Sequence, residues 1–414
     1  MRITTAKYNT VYTLKPEFQA MIPTNETWTE PIYDCGTIFA DDPVVLNYRY
    51  ICDGLLVSIF GCLGVLGNII SLRVLSQPKL RDCFHQLLLA LACFDTLYIV
   101  IGGINYTFKA FDADSNAYTI AFPYIIYPIT NIGLCGTIFM TVAISTERFL
   151  GICYPLHLPP KNRKSWFYIL PVLILSIVVN VPKFFEAEIE WLYNDRGNET
   201  LLYNYTDTLI ILPSNMSSGE YHPHHIEEWS PAYRPTELRK DSSYIKFYIT
   251  YFRLFSTAII PLIALVTINS RILCELKKIK SKTFGSQRKM WRELNMFLVL
   301  LCIVVTFICC NTPRVIVDIW EFSHVESIVH CNELLHQGEM SHPFLPTKWI
   351  MCLTHVSHFT GILNSSLNFL IYCFVGHNFR KEFLSLLGIR AKQFAVSELR
   401  ASMKTCETTT ESLI

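Results

Sequence analysis

Along most of this chain the apolar positions do not alternate with polar ones; they run on. Seven predominantly apolar stretches follow one another at approximately 51–75, 84–108, 122–146, 166–185, 244–273, 294–320 and 349–374. Each holds the roughly 20 residues that a helix needs to cross a hydrocarbon core of about 30 Å. Beyond the last, Phe379 to Leu387 has one apolar and one basic face, which predicts a short helix lying on a membrane surface. The expected architecture is an all-α membrane protein: a tail over 1–50, a bundle of seven helices over 51–388, and a second tail over 389–414.

Composition supports this reading. The 414 residues are 51% hydrophobic and 17% charged, too apolar for a soluble domain of this length. The net charge of +1 says nothing about nucleic acid or acidic partners, so the distribution of charge carries the argument. Residues 1–50 hold no apolar run after a basic start, and export is expected to rest on the first span. Lys79 and Arg81, then Lys161, Arg163 and Lys164, then a cluster from Lys277 to Arg292 mark one side of the membrane as cytoplasmic. The opposite side is acidic: eleven Asp or Glu lie in 182–243, and 321–347 has four Glu without Lys or Arg. Glycosylation sequons begin there at Asn25, Asn198, Asn204 and Asn215.

An ionisable group inside a bilayer is costly and asks for a partner. Asp95 stands alone in the second span, with Asn68 in the first and Asn364, Ser365 and Asn368 in the seventh as candidate partners. It is either a clamp between helices or part of a working site. Glu147 and Arg148 close the third span after a long uncharged run, while Glu293 opens the sixth on the same side. Arg148 either snorkels to the interface or pairs with Glu293 in a latch that breaks when helices separate. Pro261 and Pro313 mark bends in the fifth and sixth spans, with Phe307 two turns from Pro313.

Taken together these residues resemble the rhodopsin-like family of G-protein-coupled receptors. Gly67-Asn68, Leu91 to Asp95, Glu147-Arg148-Phe149 and the following Cys153-Tyr-Pro155-Leu156 match its motifs in order, and Pro261, Ile138 and Phe307 match its transmission core. The chain also departs from the family. Asn368-Phe-Leu-Ile-Tyr372 replaces NPxxY, Asn311 in Cys310-Asn-Thr-Pro313 replaces the tryptophan switch, and Asn269 stands at the fifth-span tyrosine position. Pro123 occupies the place of the usual third-span cysteine, and 182–243 has no cysteine. With Tyr127-Pro128, Asn180 to Glu186, Cys310 to Arg314 and Asn364 to Cys373, the chain is similar to the invertebrate FMRFamide-type neuropeptide receptors.

The resemblance implies an extracellular peptide ligand, a heterotrimeric G protein as partner, a plasma-membrane location, no cofactor and no enzymatic activity. The seventh span has no lysine for retinal, and the third has no acid for a small amine. If the ligand ends in Arg-Phe-amide, Asp318 or Glu321 takes its arginine while Tyr98, Tyr127, Tyr248 and Tyr251 pack on its ring. Asn131, Arg253 and Arg314 complete the ligand-facing set; Asp318 alternatively pairs with Arg314, and Arg253 meets either a ligand carbonyl or an acid. With the usual disulfide missing, Cys35 and Cys331 are placed outside and are expected to pair. His222, His224 and His225 suggest a metal less readily than a solvated cluster.

Activation is expected to repack Pro261, Ile138 and Phe307, part Arg148 from Glu293, and restack Tyr372, with Asn311, Pro313, Asn68, Asp95 and Asn368 in the same switch. Leu156 then meets the G protein. Serines and threonines of the last segment suit arrestin, and Ser412-Leu-Ile414 resembles a PDZ-domain ligand. A transporter would show internal symmetry, and an intramembrane hydrolase a metal motif or paired acids. Neither pattern is present in the sequence.

Overall fold

The computed structural model describes Cys35 and residues 42–113, 115–154, 164–193, 199–203, 209–213, 229–282, 287–337 and 344–387. Helices Pro43–Leu75, Cys83–Ala110, Asn116–Cys153, Trp166–Phe185, Ser242–Lys278 and Leu294–Ser323 are each long and apolar enough to cross a membrane. Helix Lys348–Val375 meets that standard only together with His377–Leu386, to which it is bent by 92°. The cause is its own polarity: His355, His358, Asn364, Ser365, Ser366 and Asn368 all lie on it. These are the seven spans of the bundle, numbered here in chain order, and His377–Leu386 lies across the end of the last.

The helices overrun the apolar stretches that announce them, because caps and polar helix ends carry no hydropathy. The first begins at Pro43, where the Asp42 carboxylate accepts from the Val44 amide at 2.8 Å and proline fills a first-turn place that needs no donor. Asp42 also pairs with Lys348 at 2.8 Å, joining the starts of the first and seventh helices. That hydrogen bond and the Val44 amide hold its carboxyl below the ordinary range. Farther along, a Cβ on Gly64 would lie 2.2 Å from Ser366 Oγ, and one on Gly67 2.9 Å from Phe369 Cβ. The bare backbone at both positions is what lets the first helix approach the seventh so closely.

The main core runs through the lower bundle and includes Phe84, Leu87, Leu91, Ile138, Met140, Leu265, Phe297, Leu300, Phe307 and Tyr372, all buried. At the N-terminal end, strands Ala187–Tyr193 and Trp229–Pro235 pair antiparallel, from Ala187 opposite Pro235 to Tyr193 opposite Trp229. Strands Glu199–Tyr203 and Leu209–Pro213 form a second antiparallel pair. Tyr233 of the first pair stacks on Phe122 at 5.0 Å, in a cluster with Tyr118 and Ile126 beside Pro123. Helix Val325–His336 fills the link between the sixth and seventh spans, and its Cys331 is disulfide-bonded to Cys35 with Phe344 and Trp320 packed around them.

Several turns at the cavity end of the bundle wind as π-helix: Arg49–Leu56, Phe122–Ile126, Ile245–Phe252 and Leu254–Ile259. Their hydrogen bonds reach one residue farther than in an α-helix, so each such turn rotates the following side chains around the helix. This decides which residues of the first and fifth helices face inward.

Candidate functional site

A cavity of about 310 Å³ opens at the N-terminal end among the first, second, third, fifth, sixth and seventh helices. Its wall on the fifth and sixth helices is a charge cluster. Arg253 pairs with Glu321 and, at 3.1 Å, with Asp318 Oδ1, while Arg314 Nε lies 3.7 Å from Asp318 Oδ2. Two acids and two guanidiniums leave the cluster formally neutral. Its hydrogen bonding is incomplete, since Arg253 Nε, Arg314 Nη1 and Asp318 Oδ2 are buried and have no hydrogen-bond partner in the protein. Leaving such groups bare costs about 1–3 kcal/mol each, more for charged groups, so the geometry favours an incoming polar ligand. The opposite wall carries Tyr98, Tyr106, Arg49 and Asp53, with His355 and His358 from the seventh helix.

Beside the cavity, Glu186 gathers several donors. Tyr127 Oη donates to it at 3.0 Å, Tyr244 Oη at 2.8 Å and Lys183 Nζ at 3.3 Å, with Arg239 Nε 4.0 Å away. Lys183 also donates to Tyr127 Oη at 2.8 Å. Burial alone would push the Glu186 carboxyl up; the Lys183 and Arg239 charges and the tyrosine hydroxyls outweigh it and hold the carboxyl below the ordinary range. The hub is a local consequence of sequence: Val181–Phe185 winds as a 3-10 turn after Asn180, bringing Lys183 and Glu186 to one side.

At mid-bundle Asp95 is fully buried, and Asn368 Nδ2 donates to its Oδ2 at 2.7 Å. Asn68 Nδ2 reaches the Ser365 carbonyl at 3.3 Å, so the first and seventh helices are joined one layer away. Toward the C-terminal end Ile138 and Phe307 lie in the core, and Pro261 is buried in the fifth helix. Asn311 Nδ2 donates to the Phe307 carbonyl at 2.9 Å, within the helix that Pro313 interrupts. Asn269 Nδ2 reaches Ser145 Oγ at 3.3 Å. Arg148 is held by Glu147, with Nη2 to Oε1 at 2.7 Å, while its Nη1 donates to Met296 Sδ at 3.4 Å and its guanidinium lies 4.8 Å from the Phe84 ring centre.

The family model for the seven-transmembrane receptors of the rhodopsin family matches residues 67–200 and 208–372. The chain belongs to that family. It is a receptor fold and not an enzyme fold. An FMRFamide receptor of Drosophila melanogaster is 28% identical over 83% of this chain, which spans 55% of that relative's length. A probable G-protein coupled receptor of Caenorhabditis elegans is 24% identical over 81% of the chain and 78% of its own length. An FMRFamide peptide receptor of the same organism is 24% identical over 78% of the chain and 66% of its own length.

The receptor brings Tyr98, Tyr127, Asn131, Arg253, Arg314, Asp318 and Glu321 together around one cavity. Tyr248 and Tyr251, also expected as ligand contacts, are not among the residues lining this cavity. Tyr248 donates to the Val179 carbonyl at 2.6 Å and stacks on Tyr244 at 4.9 Å, and Tyr251 packs on Phe322 at 5.1 Å. Both lie in the π-helical turn Ile245–Phe252. Arg148 is held by the adjacent, fully buried Glu147, and its expected pairing with Glu293 falls outside the described residues, as does Leu156. Asn25, Asn198, Asn204, Asn215, the histidines at 222, 224 and 225, and Ser412 to Ile414 lie outside them too. Arg49, Asp53, Lys183, Glu186, His355 and His358 escaped the sequence reading. Lys183 and Glu186 lie within the Asn180 to Glu186 segment that carried the family resemblance, which was the available signal.

Proposed function

We propose that this receptor sits in the plasma membrane with its N-terminus outside and its C-terminus in the cytoplasm, binds an amidated Arg-Phe type neuropeptide, and signals through a heterotrimeric G protein. The observation that carries the reading is the neutral but unsatisfied cluster of Arg253, Arg314, Asp318 and Glu321 in the cavity wall. A peptide arginine competes with Arg253 and Arg314 for the two acids, and the freed guanidiniums take peptide carbonyl oxygens. One ligand thereby satisfies both halves of the cluster. The names of the Drosophila and Caenorhabditis relatives and the basic inner links support the same reading.

Exchange of partners at Arg253 and Asp318 acts on the fifth and sixth helices at once. Their displacement repacks Pro261, Ile138 and Phe307, frees Arg148 from Glu147, and opens the inner end to the G protein, with Leu156 as an apolar contact and Tyr372 restacking toward Arg148. Glu293 steadies the closed state. Arrestin and a PDZ-domain protein are further proposed partners of the last segment, and Asn25, Asn198, Asn204 and Asn215 the proposed glycan sites. One observation favours a second reading, a peptide of another class bearing a carboxylate: with histidines neutral, the cavity lining holds Arg49, Lys109, Arg253 and Arg314 against Asp53, Asp318 and Glu321, an excess of one cation.

The test is nucleotide exchange on G proteins driven by RF-amide peptides, FMRFamide included, compared with acidic peptides. Asp318→Asn and Glu321→Gln are each expected to lower RF-amide potency at least tenfold. Unchanged potency in both would sink the arginine assignment, and exchange driven only by acidic peptides would sink the ligand class.

A further inference from the structure

Three side chains at the mouth of the cavity have no part in the charge cluster or in the switch. Asp53 comes from the π-helical turn Arg49–Leu56 of the first helix, while His355 and His358 stand on one face of the seventh helix. His355 Nδ1 lies 2.7 Å from Asp53 Oδ2, and His358 Nδ1 lies 3.3 Å from Oδ1 and 3.2 Å from Oδ2. One donor atom from each of the three falls within 4.8 Å of the others. Asp53 and His355 are 5% and 6% exposed, and the half-buried His358 ring is stacked on Tyr106 at 4.3 Å and 12°. The rings are therefore already held in place. Among the described residues the ion-pair partners of Asp53 are these two histidines alone.

With both imidazoles neutral, the trio leaves a carboxylate charge in a buried place, and a divalent cation reverses that deficit. The donor set is selective. Two imidazole nitrogens and one carboxylate oxygen suit zinc, whereas calcium and magnesium prefer oxygen ligands throughout. Ligands about 2.0–2.1 Å from a tetrahedral ion lie about 3.3–3.4 Å from one another. The His358 to Asp53 separations already match, and the closer His355 needs only a small side-chain rotation. All three residues line the cavity, so the fourth position of such an ion faces it. We propose that Asp53, His355 and His358 form a binding site for a divalent transition-metal ion, zinc by its chemistry, that stitches the first helix to the seventh at the mouth of the ligand cavity. The site does not depend on which peptide the receptor binds.

The experiment uses the full-length receptor in lipid nanodiscs, titrated calorimetrically with zinc chloride in the absence of peptide. One equivalent is expected at micromolar Kd, with affinity falling at least tenfold in Asp53→Asn and in His358→Gln. Cobalt(II) loaded in place of zinc is expected to give the intense visible absorption of a four-coordinate ion, lost in both variants. Zinc should raise the thermal midpoint of the native receptor and not of His358→Gln, whose metal-free midpoint reports that it folds. A receptor with His222, His224 and His225 all changed to Ala should bind zinc as the native one does. Affinity weaker than millimolar overturns the site. So does binding unchanged in both Asp53→Asn and His358→Gln, or lost only with the loop histidines.

Discussion

At the C-terminal end of the third helix Arg148 closes on its sequence neighbour Glu147, with Met296 and Phe84 around it. In the cavity wall Arg253, Arg314, Asp318 and Glu321 share bonds across two helices and leave buried atoms without hydrogen-bond partners. Arg148, Glu147 and Asp318 are buried while Arg253, Arg314 and Glu321 are half-buried, so burial is not the whole contrast. The difference lies in completeness. A closed pair stores a state until something pulls it apart, while an unfinished network waits for atoms from outside. The outer end also needs separate fastening, because Pro123 stands where the family's third-helix cysteine belongs. The Cys35 to Cys331 bond, the aromatic stack of Tyr233 on Phe122 and the Glu186 hub supply it.

The largest expected effect breaks that fastening at its most buried charge. Glu186→Gln leaves Lys183 without its counter-charge and should cost about 3–5 kcal/mol, read as a lower midpoint of the purified receptor. Lys183→Met combined with Glu186→Gln should recover most of the loss. If the double variant is no better than the single, the hub is not an ion-pair hub. The same group predicts a pH effect of definite sign. Its folded pKa lies below the unfolded value of about 4.3, so its stabilisation is complete above that pH and is lost as pH falls through the lower folded value. Glu186→Gln should flatten this acid limb.

Next in size is the disulfide. Replacing Cys35 and Cys331 together by Ser should lower stability by about 2–5 kcal/mol. Thermal denaturation under non-reducing conditions measures it, and an unchanged midpoint would remove the bond from the list of fastenings. The smallest effect sharpens the inner half of the comparison. Glu147→Gln should raise ligand-free nucleotide exchange about tenfold, equivalent to about 1.4 kcal/mol of bias between states, and more than Glu293→Gln does. The reverse order would return the latch to the sixth helix.

The seven spans were legible because apolar length is a property of composition, and Asp95 with Asn368 because a lone acid in a bilayer must find a partner. Some of the cavity residues, Tyr98, Tyr127, Arg253, Arg314, Asp318 and Glu321 among them, were legible as charged or aromatic groups near helix ends. Tyr248 and Tyr251 lie in the π-helical turn Ile245–Phe252, a winding that a reading at 3.6 residues per turn does not anticipate. Asp53 was hidden because its meaning depends on two histidines some 300 residues later that only packing brings near. Glu186 looked like one acid among eleven in its loop, and nothing local marks it as the buried one.

The polarity of the seventh helix has a consequence for how the protein is made. A segment too hydrophilic to qualify as a span by itself gains little from leaving the translocation channel into lipid alone. Its polar groups are met by earlier helices: Ser366 Oγ donates to the Phe60 carbonyl at 3.0 Å, Asn68 reaches the Ser365 carbonyl, and Asn368 binds Asp95. The first two helices therefore serve as the solvent for the polar groups of the last.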